Sequence, residues 1–341
     1  MLHKNIPIFI PHLGCPNQCV FCNQRSISGC HGFEESQVAQ QIEQALSTLP
    51  QEGAEVEIAF FGGSFTGIDR SLMLRLLDLA QSYVESGRVM SIRLSTRPDY
   101  ISREILDLLA RYSVRHIELG LQSMDDEVLG ACRRGHTAKQ AEDACLAVVA
   151  AGFSLTGQMM IGLPGSTLEK EIFTARRICE LGATSARIYP TVVFHETPLE
   201  DMTARGEYLP LTVEDAVLRS AKVLRIFEEA GVPCIRIGLC ASEDLISPDQ
   251  VVAGPNHPAL GELIWNAYYY QQLKDAALFR GLEGKCATLL VEERLMSKIV
   301  GQHRCNILRL QQECNVTVKQ IVGQKEMTGF SLLPWEEVRI K

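Results

Sequence analysis

The sequence lacks the features of a membrane or secreted protein. It has no run of about 18 uncharged apolar residues, which a transmembrane helix needs. Its N-terminus lacks the apolar core and small-residue cleavage site of a signal peptide. No low-complexity segment and no internal repeat longer than a strand–helix unit is visible. These absences predict a cytoplasmic protein without a membrane partner.

An excess of positive charge is also missing. The chain has 33 Lys and Arg against 41 Asp and Glu, a formal net charge of −8. This balance argues against broad, nonspecific nucleic-acid binding, and no DNA partner is expected. Residues 285–341 differ, with nine basic and six acidic residues. A local basic face is therefore compatible only with the C-terminal part of the chain.

Short β-branched or aromatic segments alternate with amphipathic helical segments up to about residue 240. The predicted strands are 6–10, 56–61, 91–95, 116–119, 156–161, 186–189 and 234–237. Polar or glycine-rich words such as GGSFTG, STRPD and GLPGST follow nearly every strand. The alternation predicts an α/β fold with a parallel sheet, and the strand number favours a partial (β/α) barrel with its chemistry at the carboxyl ends of the strands.

The alternation ends near residue 243. The following segment, EDLISPDQVVAGPNHPALG, has three prolines and little periodicity, which is typical of a linker. We therefore predict a barrel over 1–243, a linker and helix over 244–284, and a small α+β domain over 285–341.

Three of the twelve cysteines, Cys15, Cys19 and Cys22, lie within eight positions. In a reducing compartment such a cluster indicates metal or redox chemistry rather than disulfides. A thioredoxin-like site needs only one CxxC and would leave Cys15 unexplained. An iron–sulfur cluster is normally held by four thiolates, so three would leave one iron open to a small molecule.

A structural zinc site is the other interpretation of these cysteines. A structural zinc ion has four protein ligands, which two CxxC motifs commonly supply, and no second CxxC occurs in the chain. The nearby candidates for a fourth ligand are His12, Cys30 and His31. Spacing alone favours the iron–sulfur cluster without excluding zinc.

The word CPNQCVFC and its place after the first strand resemble the radical S-adenosylmethionine (SAM) superfamily. The resemblance implies a [4Fe–4S] cluster on Cys15, Cys19 and Cys22 and SAM on its open iron. It also implies reductive cleavage of SAM to a 5′-deoxyadenosyl radical that abstracts a substrate hydrogen, with Phe21 beside the adenine. The cofactor would carry this chemistry and the fold would position it.

The segment FFGGSFTG follows the second strand and resembles the glycine motif that binds SAM in that superfamily. We call this segment the glycine word. A bare backbone at Gly62 and Gly63 would let a carbonyl approach the SAM ammonium closely. The usual third residue is Glu, and here it is Ser64, so the resemblance implies a backbone contact. The alternative is that the glycine pair is only a turn.

Five further segments resemble the radical SAM domain of the Elongator catalytic subunit family, which modifies tRNA wobble uridines. In chain order they are IRLSTRPDYI, IELGLQSMDDEVL, RRGHT, AGFSLTGQMMIGLPGST and ARIYPTVVFHETPLED. The resemblance implies further SAM-site residues at the strand ends, namely Thr96, Arg97, Glu118, Gln122, Ile161 and Arg187. Ordinary roles remain open: Arg97 could form a surface ion pair with Asp99, and Glu118 and Gln122 could cap a strand. His136 is expected to mark a helix start capped by Thr137, and a role as a general acid is the alternative.

The chain departs from this family in two ways. Its first two cysteines have the short generic spacing, and no pyrophosphate-binding word of the family's acetyl-coenzyme A domain is found. The segment from Ser297 is similar to a KH RNA-binding module, whose two helices flank a GxxG loop. Here that loop is residues 301–304, with Arg304 in place of the second glycine.

The sequence thus predicts a radical SAM enzyme that modifies RNA, with tRNA as the expected substrate and a reductant such as flavodoxin or ferredoxin. Two alternatives stay open. One is a radical SAM enzyme acting on a small molecule or a protein, and the other is a zinc-stabilised, non-enzymatic RNA-binding protein.

Overall fold

The structure is a computed structural model that describes residues 2–10, 13–15, 19–23, 32–49, 54–239 and 250–335. Its strands are β1 (Leu2–Ile10), β2 (Ala54–Gly62), β3 (Ser91–Thr96), β4 (Val114–Gln122), β5 (Ser154–Ile161), β6 (Ser185–Pro190), β7 (Val193–Phe194), β8 (Cys234–Ile237), β9 (Val251–Ala253), β10 (Cys286–Glu292), β11 (Thr317–Gln324) and β12 (Phe330–Pro334).

Seven strands form one parallel sheet in the order β1-β2-β3-β4-β5-β6-β8. Each strand pairs in parallel with its neighbour, so all carboxyl ends lie at the same edge. This is the curled half-barrel that the alternation predicts, and all seven predicted strands are confirmed. Side chains such as Ile58, Ile92 and Ile117 are fully buried, as expected for strands covered on both faces.

Helices connect the successive strands. The first unit contains Glu35–Thr48, Arg70–Glu85, Arg103–Leu109, Asp126–Ala131, Ala138–Ala150, Leu168–Glu180 and Pro198–Ala204, and the helix Val213–Glu229 follows. Polar side chains cap several of them: Ser102, Thr167 and Thr212 each accept a backbone hydrogen bond from the first turn. Thr137 forms a full capping box with Gln140, which confirms the predicted helix start beside His136.

Glycine lets one helix approach the sheet closely. A Cβ at Gly157 of β5 would lie 2.4 Å from Ile178 Cγ2, on the helix Leu168–Glu180. The missing side chain therefore sets the distance between this helix and the sheet.

The predicted linker contains a short strand. β9 pairs antiparallel with β7, and this two-stranded sheet lies apart from the parallel one. The linker prediction missed β9 because three residues are too few to show a period of two. Residues 244–249 of that linker, like residues 240–243 before it, lie outside the described part of the chain.

The chain divides into two compact units. One comprises Met1–Ala216 and Ile226–Pro258, and the other comprises Val217–Arg225 and Ala259–Lys341. The second unit has a three-stranded sheet in the order β11-β10-β12, with β10 parallel to β11 and antiparallel to β12. Its helices are Leu260–Phe279, Met296–Val300 and Cys305–Cys314. A small α+β unit is therefore present as predicted, while the limits at 243 and 284 stay predictions.

In the described ranges, no helix combines the length and apolarity that crossing a bilayer requires.

Candidate active site

The loops after β1 and β2 are joined backbone to backbone at the carboxyl edge of the sheet. Ile10 is the register partner of Gly62, at the ends of the two strands. Beyond them, Gly63 N donates to Ile10 O at 2.8 Å, and Ser64 N donates to Leu13 O at 3.1 Å. The glycine word is thereby fastened to the segment that leads into Cys15.

Sterics explain the glycines at this junction. A Cβ at Gly63 would lie 2.0 Å from Leu13 O, and a Cβ at Gly14 would lie 2.3 Å from Ser64 O. Gly62 has a φ of +109°, which side-chain-bearing residues rarely adopt. Glycine is therefore needed at positions 62 and 63 because the backbone of the cysteine loop approaches them closely. This reason could not be seen in the sequence.

A hydroxyl network connects the loops after β2 and β3. Thr96 Oγ1 shares hydrogen bonds with Ser64 Oγ at 2.8 Å and with Thr66 Oγ1 at 2.7 Å. Arg97 N donates to Ser64 Oγ at 3.2 Å. All four residues are buried. Ser64 therefore holds two active-edge loops together, a role that a sequence word cannot specify.

The three predicted ligands lie on one short segment. Cys19 is 5% exposed, while Cys15 and Cys22 are half-buried. A tight turn joins the last two, with Cys22 N donating to Cys19 O at 3.0 Å. Burial, reinforced by the neighbouring Cys19, raises the pKa of the Cys22 thiol to about 12. Burial also raises the pKa of Cys15, whereas the Arg97 charge opposes that shift.

Arg97 lies beside these thiols. Its guanidinium forms a bidentate ion pair with Asp99, with contacts of 2.9 and 2.8 Å, and Nη1 lies 3.9 Å from Cys19 Sγ. The Asp99 pair considered from the sequence is present, yet Arg97 is only 4% exposed, so this is a buried pair rather than a surface turn.

A second arginine, Arg134, contacts the same sulfur. Its Nη1 lies 3.2 Å from Cys19 Sγ and its Nη2 donates to Gly120 O at 2.5 Å. The sequence assigned no role to this residue, although it lies within the word RRGHT. The available signal was two adjacent arginines in an otherwise acidic body, and nothing in the spacing connects them to Cys19.

His136 follows on the same loop and is 5% exposed. Burial, together with the Arg134 charge, lowers the pKa of this imidazole to about 4, so it is neutral at physiological pH. Its Nδ1 lies 3.3 Å from Thr137 O, and among the residues described Nε2 has no hydrogen-bond partner.

Glu118 on β4 and Arg187 on β6 form an ion pair. Arg187 Nε is 2.8 Å from Glu118 Oε2, Nη1 donates to Tyr189 Oη at 3.1 Å, and the guanidinium lies 5.1 Å from the centre of the Phe61 ring. Burial raises the pKa of Glu118, and the Arg187 charge opposes this shift.

Gln122 occupies the end of β4 with a left-handed backbone, at a φ of +68°. Its Oε1 accepts a hydrogen bond from Gln158 Nε2 at 3.3 Å. A left-handed backbone at a residue other than glycine costs about 1–3 kcal/mol and is common at functional sites.

Phe21 and Ile161 are apolar and buried. Phe21 packs in a cluster with Cys19, Leu163 and Tyr208, against which the half-buried Met160 also packs. Ile161 is fully buried at the end of β5. Tyr208 Oη donates to Gly162 O at 2.6 Å, which anchors the 160–162 segment below this cluster.

The predicted residues therefore form two groups. The first lies in the connected loops after β2 and β3, where Arg97 contacts Cys19, and contains Gly62, Gly63, Ser64, Thr96 and Arg97. The second lies within the barrel and contains Glu118 and Arg187. Gln122 contacts Gln158 on the neighbouring strand β5, and Phe21 packs with Cys19.

Comparison with protein families gives two matches. The radical SAM superfamily model matches residues 9–178, and the radical SAM C-terminal domain model matches residues 183–269. Together they span both loops and both groups of side chains described above.

Several curated relatives are similar to about three fifths of this chain. An uncharacterised protein of Methanocaldococcus jannaschii is 31% identical, covering 60% of this chain and 66% of that protein. A tRNA uridine(34) acetyltransferase of Methanocaldococcus infernus is 29% identical, covering 62% and 38%. Elongator complex protein 3 of Schizosaccharomyces pombe is 26% identical, covering 63% and 47%. The chain thus spans less than half the length of the last two.

Among solved structures, the archaeal Elp3 of Methanocaldococcus infernus with an N-terminal deletion shares the fold. It superposes with a TM-score of 0.62 at 22% identity, covering 80% of this chain and 63% of that one.

The donor set fits the cluster that this superfamily uses. Cys15, Cys19 and Cys22 lie on one short segment that is buried or half-buried, and three thiolates leave one iron of a four-iron cluster without a protein ligand. The two buried guanidiniums beside Cys19 would offset negative charge that the thiolates and a bound cluster bring. The chain belongs to the radical SAM superfamily of enzymes, whose cofactors are a [4Fe–4S] cluster and SAM.

Proposed function

We propose that this chain is a radical SAM enzyme that modifies RNA, with a tRNA as its substrate. One observation carries the proposal: the chain is similar to three tRNA uridine(34) acetyltransferases, over 62%, 45% and 60% of its length. The two family models, at residues 9–178 and 183–269, include the cysteine loop, the glycine word and the ends of β3 to β6. The proposal is limited to this shared part, and acetyl transfer is not included.

Each group of site residues has a role in this proposal. Cys15, Cys19 and Cys22 hold the cluster, which when bound supplies the electron that cleaves SAM. The backbone of Gly62, Gly63 and Ser64 keeps the cysteine loop against the sheet.

The remaining strand ends would hold SAM. Thr96 and Gln122 offer a hydroxyl and an amide at the ends of β3 and β4, and Arg187 offers a guanidinium within β6. Phe21 and Ile161 supply apolar surface. Buried surroundings exclude water from a reactive centre, which protects it from side reactions.

The second unit offers a candidate RNA contact. Residues 301–304 join the helices Met296–Val300 and Cys305–Cys314, in the arrangement of the loop in a KH module. Gln302, His303 and Arg304 are exposed there. His303 and Arg304 have left-handed backbone, with φ values of 49° and 61°. An exposed guanidinium on such a loop suits a phosphate oxygen.

Two further parts of the proposal concern the surroundings of the enzyme. The reductant would be a small electron carrier such as flavodoxin or ferredoxin, because cleavage of SAM consumes one electron. The location would be the cytoplasm, where thiols remain reduced.

The test is an assay for 5′-deoxyadenosine. The protein is purified without oxygen, loaded with iron and sulfide, and incubated with SAM and dithionite, with and without bulk tRNA. We expect tRNA to increase 5′-deoxyadenosine formation at least about tenfold, as substrate-dependent assembly of a site does. The Cys19→Ala variant should form none. Equal formation with and without tRNA, but stimulation by a small-molecule or peptide fraction, would contradict the substrate class.

A second measurement tests the loop. Arg304→Glu should weaken tRNA binding about tenfold and reduce the salt dependence of binding by roughly one phosphate contact. Lys325→Glu is the matched control, because it makes the same charge change at another exposed position of the same unit. Equal loss of affinity in both variants would reduce the effect to net charge.

A further inference from the structure

We propose that Arg134 is a positioning residue that sets the electron affinity of the cluster through the sulfur of Cys19. The inference concerns a residue of this chain that lies outside the cysteine and glycine words. It rests on three observations: the contact with sulfur, the charge of Arg134 and the way its guanidinium is held.

The contact is direct and buried. Arg134 Nη1 lies 3.2 Å from Cys19 Sγ, within hydrogen-bonding distance for a sulfur acceptor. Arg134 is 6% exposed and Cys19 is 5% exposed. Water therefore does not screen the interaction, and a guanidinium is always charged in a protein.

The charge of Arg134 is not balanced by a carboxylate. Three other buried arginines each face one: Arg93 pairs with Glu57, Arg97 with Asp99 and Arg187 with Glu118. In the described ranges, no carboxylate pairs with Arg134, and its Nε is buried without a hydrogen-bond partner. A buried cation needs a compensating anion. The group that faces Arg134 is the sulfur of Cys19, which as a thiolate that holds the cluster would supply this anion.

The guanidinium is held in this position. Nη2 donates to Gly120 O at 2.5 Å, and Arg134 N donates to Leu129 O at 3.0 Å. A Cβ at Gly120 would lie 3.5 Å from Nη2. Arg97 Nη2 in turn donates to the carbonyl of Arg134. The two arginines therefore approach Cys19 as one braced pair, of which Arg134 carries the uncompensated charge.

Hydrogen bonds to cluster sulfurs and nearby positive charge are known determinants of cluster potential. Reduction adds one negative charge to the cluster. A fixed cation and an N–H donor at Cys19 stabilise that added charge, so Arg134 makes reduction easier.

The experiment measures the cluster itself, without SAM or RNA. Wild type, Arg134→Gln and Arg133→Gln are loaded with iron and sulfide, and the reduced cluster is quantified by electron paramagnetic resonance at a series of fixed potentials. At the wild-type midpoint we expect the ratio of reduced to oxidised cluster in Arg134→Gln to fall about tenfold, a shift of about 59 mV for a one-electron couple. Arg133→Gln removes the same charge from the exposed neighbouring residue and should leave the ratio unchanged.

An unchanged midpoint in Arg134→Gln with full iron content overturns the proposal, and so does an equal shift in Arg133→Gln. If Arg134→Gln does not retain the cluster, Arg134→Met decides. It removes the charge and keeps an unbranched apolar side chain, so a midpoint below that of wild type supports the proposal and a wild-type midpoint overturns it. Because no substrate is present, this outcome is independent of whether tRNA is the substrate.

Discussion

Buried charges in the parallel sheet and in the loop after β3 are arranged in specific pairs. Glu57 accepts hydrogen bonds from Ser91 at 2.6 Å and from Arg93 at 3.2 Å, and Arg97 is held by Asp99. Desolvated charges are costly unless paired in good geometry, so each pair restricts where its members can lie. At this scale, single substitutions are expected to act on one interaction at a time.

The first residue-scale prediction concerns the ligands. Cys19→Ala should abolish the absorbance of a four-iron cluster, because it removes one of only three protein thiolates. The measurement is the visible spectrum with iron and sulfide analysis. Cys179→Ala, which changes a half-buried cysteine on the helix Leu168–Glu180, should load normally. A normal four-iron spectrum in Cys19→Ala would remove Cys19 from the ligand set.

The second residue-scale prediction concerns pH. The unfolded chain protonates His136 below its ordinary pKa of 6.5, whereas the folded chain does so only near pH 4. Proton uptake by the unfolded state therefore lowers stability as pH falls from 6.5 towards 4, by roughly 2 kcal/mol at pH 5. Urea unfolding of the iron-free, reduced protein at pH 7 and pH 5 measures this loss.

Between pH 7 and pH 5, His136→Gln should lose roughly 2 kcal/mol less stability than the wild-type chain. His303→Gln, at an exposed position, serves as the control and should behave as wild type. The same pH dependence in His136→Gln and wild type would refute the assignment of this loss to the buried imidazole.

At the scale of elements, the active edge depends on contacts between loops that follow different strands. The cysteine loop meets the glycine word through two backbone hydrogen bonds, and that word meets the β3 loop through Ser64 and Thr96. Backbone-to-backbone packing leaves no room for a side chain at Gly63. The position of the thiols therefore depends on a residue that is not a ligand.

The element-scale prediction follows from that contact. Gly63→Ala would place a methyl group 2.0 Å from Leu13 O, so the cysteine loop must move. Overpacking of this kind costs about 1–3 kcal/mol, and we expect iron per chain and SAM affinity to fall together. Iron analysis and equilibrium SAM binding measure the two effects.

Gly130→Ala is the matched control, because a Cβ at this helical position would meet no atom within 4 Å. It should load iron as wild type does. Retention of full iron content in Gly63→Ala would show that the loop adjusts without cost.

At the scale of the whole molecule, the cluster is expected to contribute to stability as well as to chemistry. A group that binds only the folded chain stabilises it by mass action. Here the ligand segment contacts distant parts of the first unit, since Val20 N donates to Cys132 O at 3.2 Å and Leu199 N donates to Val20 O at 2.9 Å. Binding of the cluster should therefore stabilise parts of the first unit beyond the cysteine loop.

The whole-molecule prediction is a change in melting temperature. Removal of iron by a chelator under reducing conditions should lower the melting temperature of the wild-type chain by several degrees, because the free energy of cluster binding is lost. Differential scanning calorimetry in sealed, oxygen-free cells measures it. Cys19→Ala should melt at the same temperature with and without iron treatment, and an equal iron effect in that variant would point to binding elsewhere.

Much of the fold could be predicted from local patterns. The seven strands of the parallel sheet, the helix start capped by Thr137 and the small C-terminal α+β unit were all predicted. Periodicity, capping chemistry and turn residues act over a few neighbouring positions, and such local signals survive in a single sequence. β9 was missed because three residues carry too little pattern.

The class of cofactor followed from the sequence as well, because three cysteines at this spacing and the motifs around them lie in short, local words. The partners of those cysteines did not follow from it. Arg134 lies 115 positions from Cys19, and Glu118 lies 69 positions from Arg187. Contacts of this kind depend on strand register and on the curl of the sheet, which bring distant loops to one edge. Only the tertiary structure, therefore, decided which charges surround the sulfur of Cys19.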